Sequence, residues 1–234
     1  MKLFAGIGRA IGYTLGALAA AFLLVQAWFF ARVLYWDRVN PDTTTFMARH
    51  LDEARKKNAK LELKHRWVDY AQVSTYLKRA VIVAEDAKFI DHDGFDWDGI
   101  QRAIEKNQKR GKVVAGGSTI SQQLAKNLFL SGERRLARKG EEAIITLMLE
   151  SVMSKRRILE LYLNVAEWGE GVFGAEAAAR HYYGVDAVSL GPEQAARLAA
   201  MLPRPRFYDR NPGSRYLAQY TERILARMPS AQVP

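Results

Sequence analysis

The sequence contains no cysteine among its 234 residues, which excludes a disulfide framework, a thiolate metal site and a thiol nucleophile while leaving the redox compartment open. Alternation of apolar and polar residues at the period of a half-buried strand is scarce, which argues against a β architecture. No internal repeat or low-complexity segment is visible. No helix-turn-helix, zinc-finger or RNA-binding signature accompanies the formal net charge of +10, so that charge points to anionic headgroups or phosphate-bearing ligands ahead of nucleic acid. Charge is itself missing from residues 11–31.

That uncharged run has the length at which a helix crosses a hydrocarbon core, and Trp28, Tyr35 and Trp36 stand where interfacial aromatics belong. A cleavable signal peptide is the alternative, because Ala17-Leu18-Ala19 resembles a small-residue cleavage site. A further apolar run, 22–30, follows that site, and signal cores are usually shorter, so a retained anchor is expected. Lys2, Arg9 and the amino terminus favour a cytoplasmic start, opposed by Arg32 and Arg38 on the other flank. With 49% hydrophobic residues, the rest of the chain suffices for one compact domain and not for two large ones. The expected organisation is a cytoplasmic tip and transmembrane anchor over 1–36, a charged juxtamembrane linker over 37–66, and one domain over 67–234.

Within the linker, the polarity of 47–60 predicts a solvated helix or an unstructured connection. Residues 73–89 carry Val73, Leu77, Ala80, Val81 and Ala84 at intervals of three and four, which predicts a helix. Further helical patterns cover 98–109, 118–130, 134–154, 155–165, 174–182 and 192–201, with glycines between them. Pro203, Pro205 and Pro212 break the pattern before a last helix that begins at 213 or 214. A mostly helical domain follows.

Several residues on these helices have chemical potential. Glu85-Asp86 ends the apolar run 80–84, at the edge of a buried face, where burial raises a carboxyl pKa and suits it to acid or base work. Phe89 and His92 follow four and seven positions later, so one helical face would present carboxylate, ring and imidazole together. By spacing alone, helix capping or a surface ion pair is the better explanation of the acids, and a lone histidine is more often structural. Asp91, Asp93, Asp96 and Asp98 do not form an EF-hand, since the glycines are misplaced and the closing glutamate is absent. No obligatory cofactor is evident, although carboxylates beside a phosphate ligand leave room for a divalent cation such as Mg or Mn.

Gly116-Gly117-Ser118-Thr119 offers backbone NH groups and hydroxyls to an anion at a helix start, with Lys126 about two turns along; read in isolation it is an N-cap. Arg138 and Glu142 are four apart, a plain ion pair worth about 0.3 kcal/mol, or else basic residues hold a phosphate while Glu142 stabilises charge beside it. Lys155-Arg156-Arg157 opens a helix against its dipole and needs something negative nearby, whether a bound phosphate, Glu150 or Glu160.

Taken together, these segments resemble the peptidoglycan glycosyltransferase family, which comprises the monofunctional biosynthetic enzymes and the glycosyltransferase module of class A penicillin-binding proteins. The pattern Glu-Asp-x-x-Phe-x-x-His-x-Gly is met by Glu85, Asp86, Phe89, His92 and Gly94, and Gly-Gly-Ser-Thr-Ile-x-Gln-Gln-Leu-x-Lys-Asn is met from Gly116 to Asn127. Arg-Lys-x-x-Glu is met by Arg138, Lys139 and Glu142, and Lys-x-x-Ile-Leu-x-x-Tyr-Leu-Asn from Lys155 to Asn164. The resemblance covers roughly 67–212, and the anchor with the segment after it looks like the monofunctional branch, without a transpeptidase domain.

The resemblance implies a mostly α, lysozyme-like, two-lobed domain behind one transmembrane helix, in the inner membrane with its catalytic part on the periplasmic side. It implies lipid II and a growing lipid-linked glycan as substrates, the membrane as a partner, cell-wall synthesis or division proteins as further candidates, and no nucleic acid. It assigns Glu85 as general base and Glu142 to the leaving group. Asp86, Phe89 and His92 would support the first site, and Ser118, Thr119, Gln123, Lys126, Arg134, Arg138, Lys139 and Lys155 would line the sugar and phosphate path. A lysozyme-like hydrolase would also use a carboxylic acid against glycan but needs no basic cluster, and a membrane-tethered scaffold would tolerate loss of Glu85.

Overall fold

The computed structural model describes residues 2–56, 62–112, 116–130 and 136–234. The chain divides into two compact units, Met1–Asn40 and Pro41–Pro234. The first is a single helix, α1 (Lys2–Arg38). Its Ala10–Arg38 portion, which contains an 18-residue stretch with a mean hydropathy of 1.9, is long and apolar enough to cross a membrane. At 1.5 Å per residue that portion extends about 43 Å, beyond the roughly 30 Å of hydrocarbon in a bilayer. Arg32 lies near its end, with the guanidinium over the Trp36 ring at 4.3 Å and the Trp28 ring at 5.7 Å, an arrangement suited to the interface.

Among its described residues, the second unit is helical apart from one small sheet. Its elements in chain order are α2 (Thr45–Lys56), β1 (Lys64–His65), α3 (Thr75–Glu85), α4 (Trp97–Arg110), α5 (Ile120–Phe129), α6 (Leu136–Val152) and α7 (Lys155–Val165). There follow β2 (Glu167–Gly169), β3 (Val172–Phe173), α8 (Ala175–Tyr183), α9 (Pro192–Met201), α10 (Pro205–Arg210) and α11 (Arg215–Arg227). The helices start where the sequence supplies caps: Ser74, Asp96, Thr119, Ser154 and Ser214 each accept a backbone NH from the first turn that follows.

Two packing groups position the site. Helix α3 lies against α9 and α11, while α5 lies against α6, α7 and α2. Leu77, Ile82, Ile120, Leu124, Leu128, Ile145, Leu149 and Trp168 are fully buried, each contributing about 1.5–3 kcal/mol of transfer free energy. Strand β3 is central in the sheet, parallel to β1 with Lys64 opposite Val172, and antiparallel to β2 with Glu167 opposite Phe173. Asn164 at the end of α7 fastens the chain after β1, exchanging two 2.9 Å hydrogen bonds with the Val68 backbone. Gly174 must be small and left-handed here, since at φ +84° an added Cβ would stand 2.7 Å from the Asn164 carbonyl oxygen.

Two expectations change. The helix predicted over 73–89 stops at Glu85, because Asp86 turns to φ −161°, ψ 75° and caps it. Glu85, Phe89 and His92 therefore do not share a helical face; Phe89 enters the core and His92 folds back onto Asp86. Helix α2, expected to be solvated, buries Met47 and His50 on one side while keeping its charged side in solvent.

Candidate active site

Glu85 is the last residue of α3, at the end where the helix dipole disfavours negative charge. The half-buried side chain borders a cavity of about 540 Å³. Its Oε2 accepts a 2.6 Å hydrogen bond from Gln123 Nε2, and its Oε1 is buried without a hydrogen-bond partner. Burial pushes the Glu85 carboxyl above the ordinary carboxylate value, an effect that the Gln123 bond and the Lys126 charge only partly oppose. An uncommitted, desolvated carboxylate oxygen is what a proton acceptor requires.

The Gln123 amide is itself oriented: its Oε1 accepts a 3.0 Å bond from the hydroxyl of buried Tyr162 on α7, so its NH₂ must face Glu85. Burial and the nearby Glu85 and Asp86 charges raise the Tyr162 hydroxyl well above its usual pKa, which keeps it a donor.

Asp86 points away from the cavity and joins three segments. It accepts from His92 Nε2 at 2.9 and 3.1 Å and from the Ile120 backbone NH at 3.1 Å, at the start of α5. His92 Nδ1 accepts from the Gly94 NH at 3.1 Å, which leaves the ring proton on Nε2, facing Asp86. Thr119 caps α5 and donates to the Gly94 carbonyl at 2.7 Å. Gly94, at φ +93°, packs so closely that a Cβ would lie 2.8 Å from Thr146 Cγ2. These contacts fix the height of α5 relative to Glu85, and thus where Gln123 and Lys126 enter the cavity.

The opposite wall comes from α6. Glu142 is buried and paired with Arg138 Nη1 at 2.8 Å and with Lys139 Nζ. Lys139 also reaches Ser118 Oγ at 3.4 Å. Lys126 lies between the two walls; burial lowers its pKa most, Arg138 and Lys139 push the same way, and Glu142 and Glu85 oppose them. One cavity thus holds three cations, Lys126, Arg138 and Lys139, against two carboxylates, Glu85 and Glu142. Excess positive charge in a half-desolvated cleft suits a polyanion more than a neutral sugar alone.

A family model described as Transglycosylase matches residues 52–229. The chain belongs to the transglycosylase family. It is 61% identical over 228 residues to the biosynthetic peptidoglycan transglycosylase of Dechloromonas aromatica (strain RCB), covering 97% of this chain and 99% of that protein. It is 60% identical over 215 residues to the protein of the same name from Nitrosospira multiformis, covering 92% of this chain and 94% of that one. The Azoarcus sp. (strain BH72) protein of that name is 59% identical over 226 residues, covering 97% of each chain.

Against this transglycosylase frame, the residues singled out in the sequence separate into groups. Glu85, Ser118, Gln123, Lys126, Arg138, Lys139 and Glu142 border the main cavity. Asp86 and Thr119 border a smaller one that shares Glu85 and Ser118 with it. Phe89 is in the core. His92 braces Asp86. Lys155 is not among the residues lining the main cavity; it donates to the His92 carbonyl and to Glu150 at 2.8 Å, so Glu150 supplies the negative charge its helix start requires. Arg134 lies outside the described residues. Phe46, Leu202 and Pro203 also border the cavity, and no spacing signal marks them. Tyr162 was legible only as part of a motif. Among the described residues, no group of three or more His, Asp and Glu side chains is placed to hold a metal ion.

Proposed function

We propose that this transglycosylase elongates glycan strands from lipid II in the main cavity, with Glu85 as the base. The 4-hydroxyl of the incoming lipid II attacks the anomeric carbon of the lipid-linked chain and gives its proton to Glu85. As the new C1–O4 bond forms, the bond from C1 to the pyrophosphate breaks, and undecaprenyl pyrophosphate leaves with the electron pair. Attack from the opposite face converts the α-linked donor into a β-1,4 bond. A base stronger than an ordinary carboxylate serves this step better, and burial shifts Glu85 in that direction.

Lys126, Arg138 and Lys139 are the groups available to neutralise the departing pyrophosphate, a role concentrated in the transition state. Glu142 holds Arg138 and Lys139 in place from beneath. Gln123 orients Glu85, and Ser118 offers a hydroxyl to the same path. Asp86, His92, Thr119 and Lys155 act through the loop they brace. The observation that carries the reading is Glu85 itself, with one carboxylate oxygen buried and unpartnered, at the border of the cavity that also holds the three cations. A hydrolase has no use for that cluster, and a scaffold has no use for the buried carboxylate.

We place the α1 span in the inner membrane and the catalytic unit on the periplasmic side, where both lipid-anchored substrates are presented. Cell-wall synthesis or division proteins are candidate partners. The reading is tested by incubating the full chain with lipid II in liposomes and sizing the product. Long glycan is expected; shortening of preformed glycan, or no reaction, contradicts it.

A further inference from the structure

At the other end of α3, about 15 Å along the helix from Glu85, a second cavity of about 440 Å³ is bordered by Ser74, Thr75, Tyr76, Lys78, Arg79 and Val188. Its charged groups lack the partners such groups normally have. Lys78 is only 6% exposed, yet its Nζ makes no hydrogen bond and no ion pair among the described residues; it rests 4.0 Å above the Tyr70 ring. The nearby carboxylate is already committed, because Glu160 accepts from the Tyr70 NH at 2.7 Å and from Arg157 at 2.7 Å. Arg79, on the same wall, has a buried Nε with no hydrogen-bond partner. Arg156 lies on the Tyr70 ring at 4.7 Å and adds to the positive field.

We infer that this cavity is a binding site for a peptide carboxylate, separate from the glycosyl-transfer cleft. Lys78 and Arg79 would pair with the carboxylate beside the positive end of α3, an eleven-residue helix whose first turn begins at Thr75. The exposed Tyr76 and Val188 flank the cations and suit an apolar side chain adjacent to the acid. Cations on a cavity wall with no anionic partner, one of them with a buried and unpaired Nε, are stabilised by an incoming carboxylate. The direction of the Lys78 pKa agrees: burial lowers it, Arg156 lowers it further, and Glu160 opposes them. Two sources supply this chemistry, an acidic segment of a partner protein or the peptide arms of the glycan product, and both present a carboxylate next to an apolar group.

The test uses the full isotope-labelled chain in detergent micelles, titrated with N-acetyl-leucine, with its uncharged amide and with inorganic phosphate while the backbone amides of residues 74–80 are followed. N-acetyl-leucine should produce saturable shifts confined to that segment, and phosphate and the amide should bind at least tenfold more weakly. Lys78→Met, which keeps the stem in its apolar slot, and Arg79→Gln should each weaken binding at least tenfold while lipid II polymerisation stays within about twofold of wild type. Equal binding of the amide, no saturable shift, or unchanged binding by both variants overturns the proposal. Glycan carrying its peptide arms is then compared with glycan stripped of them and with a free acidic peptide. Competition with N-acetyl-leucine by the peptide-bearing glycan alone assigns the site to product, and competition by the free peptide alone assigns it to a protein partner. Failure of all three to compete overturns the physiological claim. Because polymerisation is read separately, failure here leaves the assignment of Glu85 untouched.

Discussion

Gln123 donates to Glu85 from one end of its amide and accepts from Tyr162 at the other, so the orientation of a base at the end of α3 is set by a hydroxyl on α7. An amide can turn over, and a turned Gln123 would present its carbonyl to Glu85 and repel the carboxylate. Tyr162→Phe removes the hydroxyl that prevents this. Losing one such bond is worth about 1 kcal/mol, or roughly fivefold in rate. The Gln123 NH₂ lowers the Glu85 pKa, so its loss moves the acid limb of the kcat/KM profile to higher pH. Loss of rate without movement of that limb would mean that Tyr162 serves packing alone. A double-mutant cycle with Gln123→Met should show coupling between the two substitutions.

The raised Glu85 pKa also has a consequence for stability. A carboxyl whose folded pKa stands above its unfolded value, near 4.5, binds its proton more tightly in the folded state. Its contribution is therefore most favourable below pH 4.5 and is lost as pH rises through the folded value. Glu85→Gln has no charge to desolvate, so the variant should melt higher than wild type at neutral pH, with the difference closing in acid. Thermal denaturation at several pH values checks this, and a variant less stable than wild type at neutral pH would contradict the burial argument.

Much of the helical frame was legible because long amphipathic segments carry strong periodicity. Helices α7 and α9 begin and end where the pattern placed them, with Ser154 capping the first and Pro192 opening the second. The end of α3 was not legible. Ala87 and Lys88 continue the periodicity past Glu85, and the break depends on tertiary bonds that Asp86 makes to His92 and to the start of α5. The sheet was also hidden, since strands of two or three residues are too short to alternate and β1 joins β3 across more than a hundred residues. Phe46 reaches the cavity from a helix whose composition reads as solvated, because Met47 and His50 are too few to mark a buried face in so charged a segment. The motif residues were identifiable as a set. Their division into those that face the cavity and those that brace it depends on side-chain direction, which spacing does not give.

The cationic wall makes a separate prediction. If Lys126 and Arg138 neutralise the leaving pyrophosphate, Lys126→Ala and Arg138→Ala should each reduce kcat by about a hundredfold or more, as loss of a transition-state charge contact does. Lys56→Ala, on the exposed end of α2, should change it by less than about twofold if its charge acts only as part of the diffuse field, which salt screens. All three variants must bind liposomes as wild type does. Equal losses would reduce the cluster to general membrane attraction.

The central claim is that Glu85 accepts the proton of the attacking hydroxyl. Glu85→Gln keeps the size of the side chain and removes the base, and general-base catalysis contributes about a hundredfold to ten-thousandfold. The direct measurement is the rate of lipid II polymerisation in liposomes by the folded Glu85→Gln chain at saturating substrate. A fall in kcat within or beyond that range, with substrate binding retained, is the predicted result. Turnover within about threefold of wild type would contradict the assignment and move the base elsewhere in the cavity.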